Sequence, residues 1–457
     1  MFNYKPYSAL LILFVFVYAT SCKKYLDEKP DSKLAVPSTL SDLQALLDFS
    51  FRMNLKRTPT FGEASSDDYF LLDETYNNFD QEKQQIYSWS RKDYKFQNDW
   101  SIAYEPVYNA NFCLETIDNI SLTAVNADQW NNIKGSALFF RSYYFLQLMW
   151  VYAKAFDETT ANTDLGIVLR QTSDFNIPSV RSSVNDCYER ICSDAKQAAL
   201  HLPDHSSHPF RPSKAAAYGL LSRAYLSMRI YDSALLYADR CLQLKNTLMD
   251  FNADTDVDPD LSSSVPFKRF NKETIFYTEM NATFFINDPY YAKVDTTLYN
   301  SYPENDLRKT AYYKPNSGFQ QFKGNYTGDE YFYFTGIATD EIWLIRAEAH
   351  ARVGSINEAM NGLNTLLKTR WKNTEPYTPY TATSVPEALA IILAERRKEL
   401  HGRGLRWMDI KRLNKEAANI TLKRIINGQV YSLAPNASYY ALPLPADIIQ
   451  LTGIPQN

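Results

Sequence analysis

Glycine is scarce in this sequence: 14 of 457 residues, where average usage near 7% gives about 32. Folds that turn every few residues need glycine at positive φ, so this poverty points to a chain that is mostly helix. Cysteine and histidine number five each. No CxxC pair occurs, and Pro203 and Pro209 interrupt His201, His205 and His208, so these histidines read as a linker between helices and no metal centre is expected from them. A Gly-rich phosphate loop, a nucleophile elbow and an HExxH helix are all missing. Neither sign of charge dominates: 48 basic against 52 acidic residues leave a net charge of −4 with no block of like charge, which gives nucleic-acid binding no support. The N-terminal apolar stretch Ala9–Ala19 has 11 residues, too few for a bilayer span of roughly 20.

That short stretch carries its own meaning. Lys5 precedes it, and Thr20-Ser21-Cys22 follows, an arrangement that resembles a bacterial lipoprotein signal, removed so that a lipidated Cys22 becomes the new N-terminus. Several acyl chains make such attachment stable where one does not. Residues 1–21 are then a signal peptide, 22–37 a lipid-anchored tether with Pro30 and Pro37, and 38–457 one folded domain. With Cys22 acylated, Cys113, Cys187, Cys192 and Cys241 remain. Cys187 and Cys192 do not share a helix face, so buried free thiols are expected.

What the chain has in abundance is aromatic surface, with 33 tyrosines, 26 phenylalanines and 7 tryptophans. Ser38-Thr39-Leu40-Ser41-Asp42-Leu43 starts a first helix with a capping hydroxyl and apolar spacing at Leu43, Leu46 and Leu47. Residues 97–156 read as an antiparallel helix pair whose second member is apolar almost all round, and Trp100 belongs to that core. Helices follow at 184–202, 212–228 and 231–245. Tyr218, Leu221, Ser222, Tyr225, Tyr231 and Ala234 fit the tetratricopeptide pattern, in which small residues let two helices approach while aromatics lock into the next pair. Trp343, Ala347, Gly354 and Ala359 repeat it within 339–371, and a last helical stretch covers 385–413. Between them, 246–338 breaks the helical pattern, and irregular segments of such length usually carry function. The fold class is therefore all-α, built of helix pairs with one loop-rich insertion.

Several motifs in order resemble the SusD/RagB nutrient-binding lipoproteins. They are Cys22 with Tyr25-Leu26-Asp27 and Pro30, the stretch Lys134 to Tyr144 containing Phe139 and Arg141, Pro212 to Ala217, and Ala394 to Leu400 followed by Gly404, Arg406, Trp407, Asp409 and Arg412. Leu442-Pro443-Leu444-Pro445 closes the set. The resemblance implies a non-catalytic surface lipoprotein of the outer membrane. Such a protein captures an oligosaccharide or oligopeptide for a TonB-dependent, SusC-like barrel, with its helix pairs, about four in number, on the barrel and its loops toward the ligand. A scaffold without its own ligand, or a surface glycan hydrolase, are the other readings.

The family's habit of placing its site in the loops before the first repeat and in the central insertion implies Asp67, Asp68, Tyr69, Trp89, Arg91 and Tyr94 on one side. Tyr290, Tyr291, Tyr312, Tyr313 and Phe319 would lie opposite. Sugar rings stack on such aromatics while Asp, Asn and Arg bond the hydroxyls. Glu395, Glu399 and Asp409 could suggest glycoside hydrolysis, but the neighbouring Arg396, Arg397, Lys398, Arg403 and Arg406 should hold them ionised, as an ion-pair network. Asp254, Asp256, Asp258 and Asp260 alternate like a calcium loop. Pro259 and Val265 stand where an EF-hand needs glycine and glutamate, so the stretch reads as a solvated acidic loop, with a looser calcium site as the lesser alternative. No cofactor is expected.

Overall fold

A computed structural model describes residues 36–457 apart from 92, 95, 284 and 285; the apolar leader, Cys22 and nearly all of the tether lie outside the described residues. The principal helices, in chain order, are α1 (Leu40–Asp48), α2 (Asp99–Ile117), α3 (Ala127–Tyr152), α4 (Val184–His201), α5 (Lys214–Met228), α6 (Tyr231–Leu244), α7 (Thr339–Arg352), α8 (Ile356–Lys368), α9 (Val385–Glu399) and α10 (Arg406–Asn414). Their starts follow from local chemistry. Thr39 and Asp42 exchange side-chain-to-amide hydrogen bonds at α1, and Ser183 and Asp186 do the same at α4. Each such cap is worth about 1 kcal/mol.

Helix α3 is the central post. Every residue from Gly135 to Tyr152 is buried, because α2 covers one flank and α4 the other. Arg141 is the one cation inside this contact. It donates through Nε and Nη2 to Asp194 at 2.7 and 2.9 Å, and through Nη1 to Asn111 at 3.0 Å, so one side chain ties α3 to both neighbours. The stack continues α4 on α5, α5 on α6, α6 on α7 and α7 on α8, with α9 against α7 and α8. Tyr225 stacks on Tyr237 at 5.6 Å between α5 and α6. Gly354, with φ +86° and open space where a Cβ would stand, makes the turn from α7 to α8. The helix pairs thus form where the small and aromatic residues place them, and Cys113, Cys187, Cys192 and Cys241 are buried free thiols.

Strands are short and pair in twos, all antiparallel: β1 (Tyr69–Phe70), β2 (Leu165–Val168), β3 (Arg181–Ser183), β4 (Thr274–Phe276), β5 (Lys293–Val294), β6 (Tyr313–Asn316), β7 (Phe319–Phe322), β8 (Ile337–Ala338), β9 (Leu422–Ile426) and β10 (Gln429–Leu433). The ladders are β1–β5, β2–β3, β4–β8, β6–β7 and β9–β10. The insertion 246–338 is therefore less irregular than its composition suggests. It owns a second hydrophobic cluster that includes Phe251, Phe267, Tyr277, Tyr312, Tyr313 and Phe334, and burying those rings is what lets a glycine-poor loop region hold one shape.

The 394–412 motif enters a buried network of ions whose partners come mostly from elsewhere in the chain, and the neighbouring Arg397, Arg403 and Arg406 pair instead with Asp68, Asp340 and Asp67. Arg412 grips Glu348 at 2.6 and 2.7 Å and reaches Asp409 at 2.8 Å, while Arg396 meets Asp409 from the other side at 2.9 Å. Arg308 joins Asp306, Glu395 and Glu399, and Arg370 joins Glu399 to Glu273. Burial alone would raise these carboxyls. Arg308 and Lys398 nevertheless hold Glu395 below its ordinary value, Arg370 and Arg308 do so for Glu399, and Arg396 and Arg412 for Asp409. None of the three is a raised-pKa general acid of the kind glycoside hydrolysis needs.

The aspartates of 254–260 do not converge. Asp254 pairs with Lys272 at 2.7 Å, Asp256 accepts from the Lys272 amide, and Asp258 and Asp260 accept from amides two residues on. Among the described residues no three acidic, histidine or cysteine side chains gather as a metal site, so the weak calcium reading of Asp254, Asp256 and Asp258 gains no support over a solvated acidic loop.

Candidate functional site

Strand pairing decides which aromatic rings face out. In β1, Tyr69 stands opposite Val294 and Phe70 opposite Lys293, and successive side chains of a strand point to opposite faces. Tyr69 turns inward, is buried and donates its hydroxyl to the Ala64 carbonyl at 2.6 Å. Phe70 turns outward and meets Phe319 of β7 edge-to-face, ring centres 5.1 Å apart. Just before β5, Tyr290 and Tyr291 are 58% and 41% exposed and stand at right angles to each other. Tyr291 also packs edge-on against Phe79 at 5.7 Å. The Asn316 carboxamide donates to the Tyr290 carbonyl at 2.8 Å and to Gln321 at 2.7 Å, fastening the β6–β7 hairpin to this segment. The result is a strip of two ring groups, half-buried Phe70 with Phe319, and exposed Tyr290 and Tyr291 with half-buried Phe79, linked through Asn316.

A charged shelf borders the strip. Arg397 donates to Asp68 at 2.7 Å and to the Asp67 carbonyl at 3.0 Å, Arg406 grips Asp67 at 2.7 and 2.9 Å, and Asp295 lies 3.7 Å from Arg397. Burial alone would raise the Asp67 carboxyl, but Arg406 and then Arg397 hold it below its ordinary value. Burial raises that of Asp295. Arg397, Asp67 and Asp295 keep part of their surface in solvent, so they can exchange hydrogen bonds with a polar ligand lying on the rings.

Behind the shelf lies Glu63, 5% exposed, with Oε2 unpartnered. Burial and the nearby Asp68 raise its carboxyl from 4.5 to about 8. A carboxyl raised in the folded state stabilises the protein fully below its unfolded value, and that contribution is lost as pH rises from 4.5 to about 8. About 1.4 kcal/mol is at stake for each pH unit between the two values. Glu63→Gln should therefore lose less stability than the parent on going from pH 5 to pH 9, read from denaturation midpoints. Equal losses in both proteins would refute a neutral buried Glu63.

The other residues read from the sequence are engaged elsewhere. Trp89 is buried, donates its indole N–H to the Ser65 carbonyl at 3.0 Å, and with Tyr69 and Tyr87 surrounds the Arg424 guanidinium. Tyr94 is buried and stacks on Phe61 at 4.4 Å. Arg91 pairs with Glu82. Tyr312 and Tyr313 are buried in the second cluster, the Tyr313 hydroxyl bonding Tyr302 and His401. The two groups expected to face each other instead lie side by side, since β1 pairs with β5, and of those candidates Tyr290, Tyr291 and Phe319 are in the strip, with Asp67 and Asp68 on its border. Phe70, Phe79, Asn316, Asp295 and Arg397 carry no mark in the sequence as ligand contacts. Tyr69-Phe70-Leu71-Leu72 is a continuous apolar run without alternation, so nothing in the sequence marks Phe70 as the outward ring.

A family profile described as starch-binding associating with outer membrane matches residues 24–226, and one described as the SusD family matches residues 267–446. No curated protein sequence matches the chain. Among solved structures, a SusD superfamily protein from Bacteroides thetaiotaomicron is similar with a TM-score of 0.73 at 21% identity, over 92% of this chain and 99% of that one. A SusD-like carbohydrate binding protein from Bacteroides vulgatus gives 0.68 at 20% identity, over 91% and 97%. A laminarin binding SusD-like protein gives 0.64 at 18%, also over 91% and 97%. At such identities the likeness speaks for the fold. Among the described residues no helix is long and apolar enough to cross a membrane.

Proposed function

The chain belongs to the SusD/RagB family, and on that premise we propose that it is a surface-facing outer-membrane lipoprotein that binds a glycan and delivers it to a TonB-dependent, SusC-like barrel. The observation that carries the reading is the strip of Phe70, Phe79, Tyr290, Tyr291 and Phe319 with its shelf of Asp67, Asp295 and Arg397. Flat, open rings suit the apolar faces of sugars, and a rim of mixed charge suits their hydroxyls. A peptide side chain calls for a closed pocket instead. The neutralised carboxylates of 394–412 support binding without turnover. A structurally similar SusD-like protein binds laminarin, which makes laminarin the first ligand to try.

Removing the first 22 residues leaves every described residue in place. That soluble form should bind laminarin or another glycan of a panel in calorimetry, leave it uncleaved, and ignore a mixed peptide pool. Peptide binding alone would reassign the cargo, and no binding would reduce the protein to a scaffold. Anchoring has its own test: Cys22→Ser should move the protein from the membrane fraction to the soluble one, and retention in the membrane would exclude the lipid anchor.

A further inference from the structure

Apolar side chains gather in solvent at the end of α2 away from the strip. The strip end is marked by Asp99 at the start of α2, whose carboxylate accepts from the Thr60 and Phe61 amides, each at 2.7 Å, ahead of β1. Helix α2 has 19 residues, so its other end lies about 28 Å away. There the α2–α3 turn exposes Leu122 and Val125, the last turn of α4 exposes Leu200, the loop after β2 exposes Phe175 and Ile177, and Val36 stands exposed ahead of α1.

Hydrogen bonds bring these segments to one corner. The Leu43 carbonyl of α1 accepts from the Cys113 thiol at 3.8 Å, and Gln44 accepts from Asn132 at 2.9 Å. Beyond α1 the chain runs back along α2 to the Arg57–Glu105 ion pair at 2.7 Å, which leaves Val36 at the Ile117 end. His201 meets Asn131 at 2.8 Å, setting Leu200 beside the start of α3. The Ser173 amide, two residues before Phe175, donates to Glu115 at 2.9 Å. Both turns are stiff: Arg170 donates to the Ile177 carbonyl and the Ser179 hydroxyl, each at 2.7 Å, while the Asn126 carboxamide accepts from the Thr123 amide at 2.8 Å and donates to the Ser121 carbonyl at 3.0 Å. Val125, 98% exposed, and Phe175, 82% exposed, are thus held outward by ordered backbone. Single exposed apolar side chains are ordinary on a protein surface, whereas a group of them at one corner marks a contact.

The chain ahead of Val36 decides what meets this corner. On the reading that Cys22 is acylated, only residues 23–35 separate the lipid from Val36, at most about 45 Å of extended chain. Acyl chains hold a protein at the bilayer but leave its body free to turn, and apolar side chains at the root of the tether fix that orientation by entering the headgroup layer. The side chains come from four separate segments with Asn119, Thr123 and Asn126 between them, which suits a lipid interface better than the packed core of a protein contact. Charge is not the attraction, since Asp118, Asp128 and Asp174 are exposed here and Lys134 pairs with Asp118 at 2.9 Å. We infer that this corner is a membrane-contact surface, seated in the headgroup layer of the bilayer that holds the Cys22 lipid, with the aromatic strip turned to the far side.

Fluorescence quenching on vesicles tests it. The soluble form, given an N-terminal hexahistidine tag, is held on phosphatidylcholine vesicles that contain a nickel-chelating lipid, so acylation is not needed. A nitrobenzoxadiazole label is placed at Val125→Cys or, in the short helix leading to Phe79, at the exposed Glu74→Cys; the four native thiols are buried. On vesicles the label at 125 should shift its emission to shorter wavelength, and it should lose most of that emission when doxyl-labelled lipid is included, relative to the same vesicles without it. The label at 74 should stay as in solution. Adding Leu122→Ser and Phe175→Ser, both at exposed positions, should abolish the quenching at 125. No quenching at 125, equal quenching at 125 and 74, or quenching that survives both serines would overturn the contact. A shift that follows protein density instead of doxyl lipid would also overturn it, in favour of self-association. Because the tag replaces the acyl chains, failure here is distinguishable from failure of the lipid anchor, which Cys22→Ser reads by fractionation.

Discussion

Replacing Arg370 with methionine is expected to destabilise the protein by about 3–5 kcal/mol, the cost of breaking a buried ion pair by removing one partner. Arg370 is 1% exposed and donates to Glu273 at 2.8 and 3.1 Å, to Glu399 at 2.9 Å and to the Met249 carbonyl at 2.6 Å. Methionine fills most of the volume, so packing changes little, but two buried carboxylates lose their shared cation. Arg308 still reaches Glu399, and the Tyr326 hydroxyl still donates to Glu273. Neither replaces a guanidinium that served both. The midpoint of chemical denaturation reads the effect, and an unchanged midpoint would mean the network is not a structural brace. Adding Glu399→Gln to the variant should recover part of the loss, since the two residues are in direct contact and their effects should not add.

Alanine at both Tyr290 and Tyr291 should weaken glycan binding by about 10- to 100-fold while leaving the denaturation midpoint nearly unchanged. Aromatic pairs and stacks are worth about 0.5–1.5 kcal/mol each beyond their buried area, and two of them total about 1–3 kcal/mol, roughly 5- to 150-fold, which brackets that range. Stability is spared because both rings stand in solvent and touch chiefly each other and Phe79. Trp89→Ala gives the opposite pattern. It removes a buried ring from the face of Arg424 and a hydrogen bond to Ser65, so it should cost about 3–5 kcal/mol in stability. If the double tyrosine variant binds glycan as the parent does, the strip is not the site.

The two substitutions separate what kind of information each ring's place depends on. Trp89 and Tyr290 look alike in sequence, each in a polar, irregular stretch without periodicity. Trp89 is nevertheless enclosed by Tyr69, Tyr87 and Arg424, the last supplied by β9 more than 300 residues later. Tyr69 and Phe70 are neighbours, yet one is core and one is surface, and their pairing with β5 sets which is which. Residues 312 and 313 are buried by the β6–β7 hairpin and the second cluster.

The sequence by itself determined the helical architecture, the positions of the helix pairs and the family. Those features rest on local periodicity, caps and short contiguous motifs, which a chain displays whether or not it is folded. Only the tertiary structure decided which aromatics form a ligand-facing strip, that Arg397 and Asp295 border it, and that Leu122, Val125 and Phe175 come out at one corner of the helices. In segments without a repeat, a ring's exposure depends on partners brought from far along the chain, and no local pattern records them.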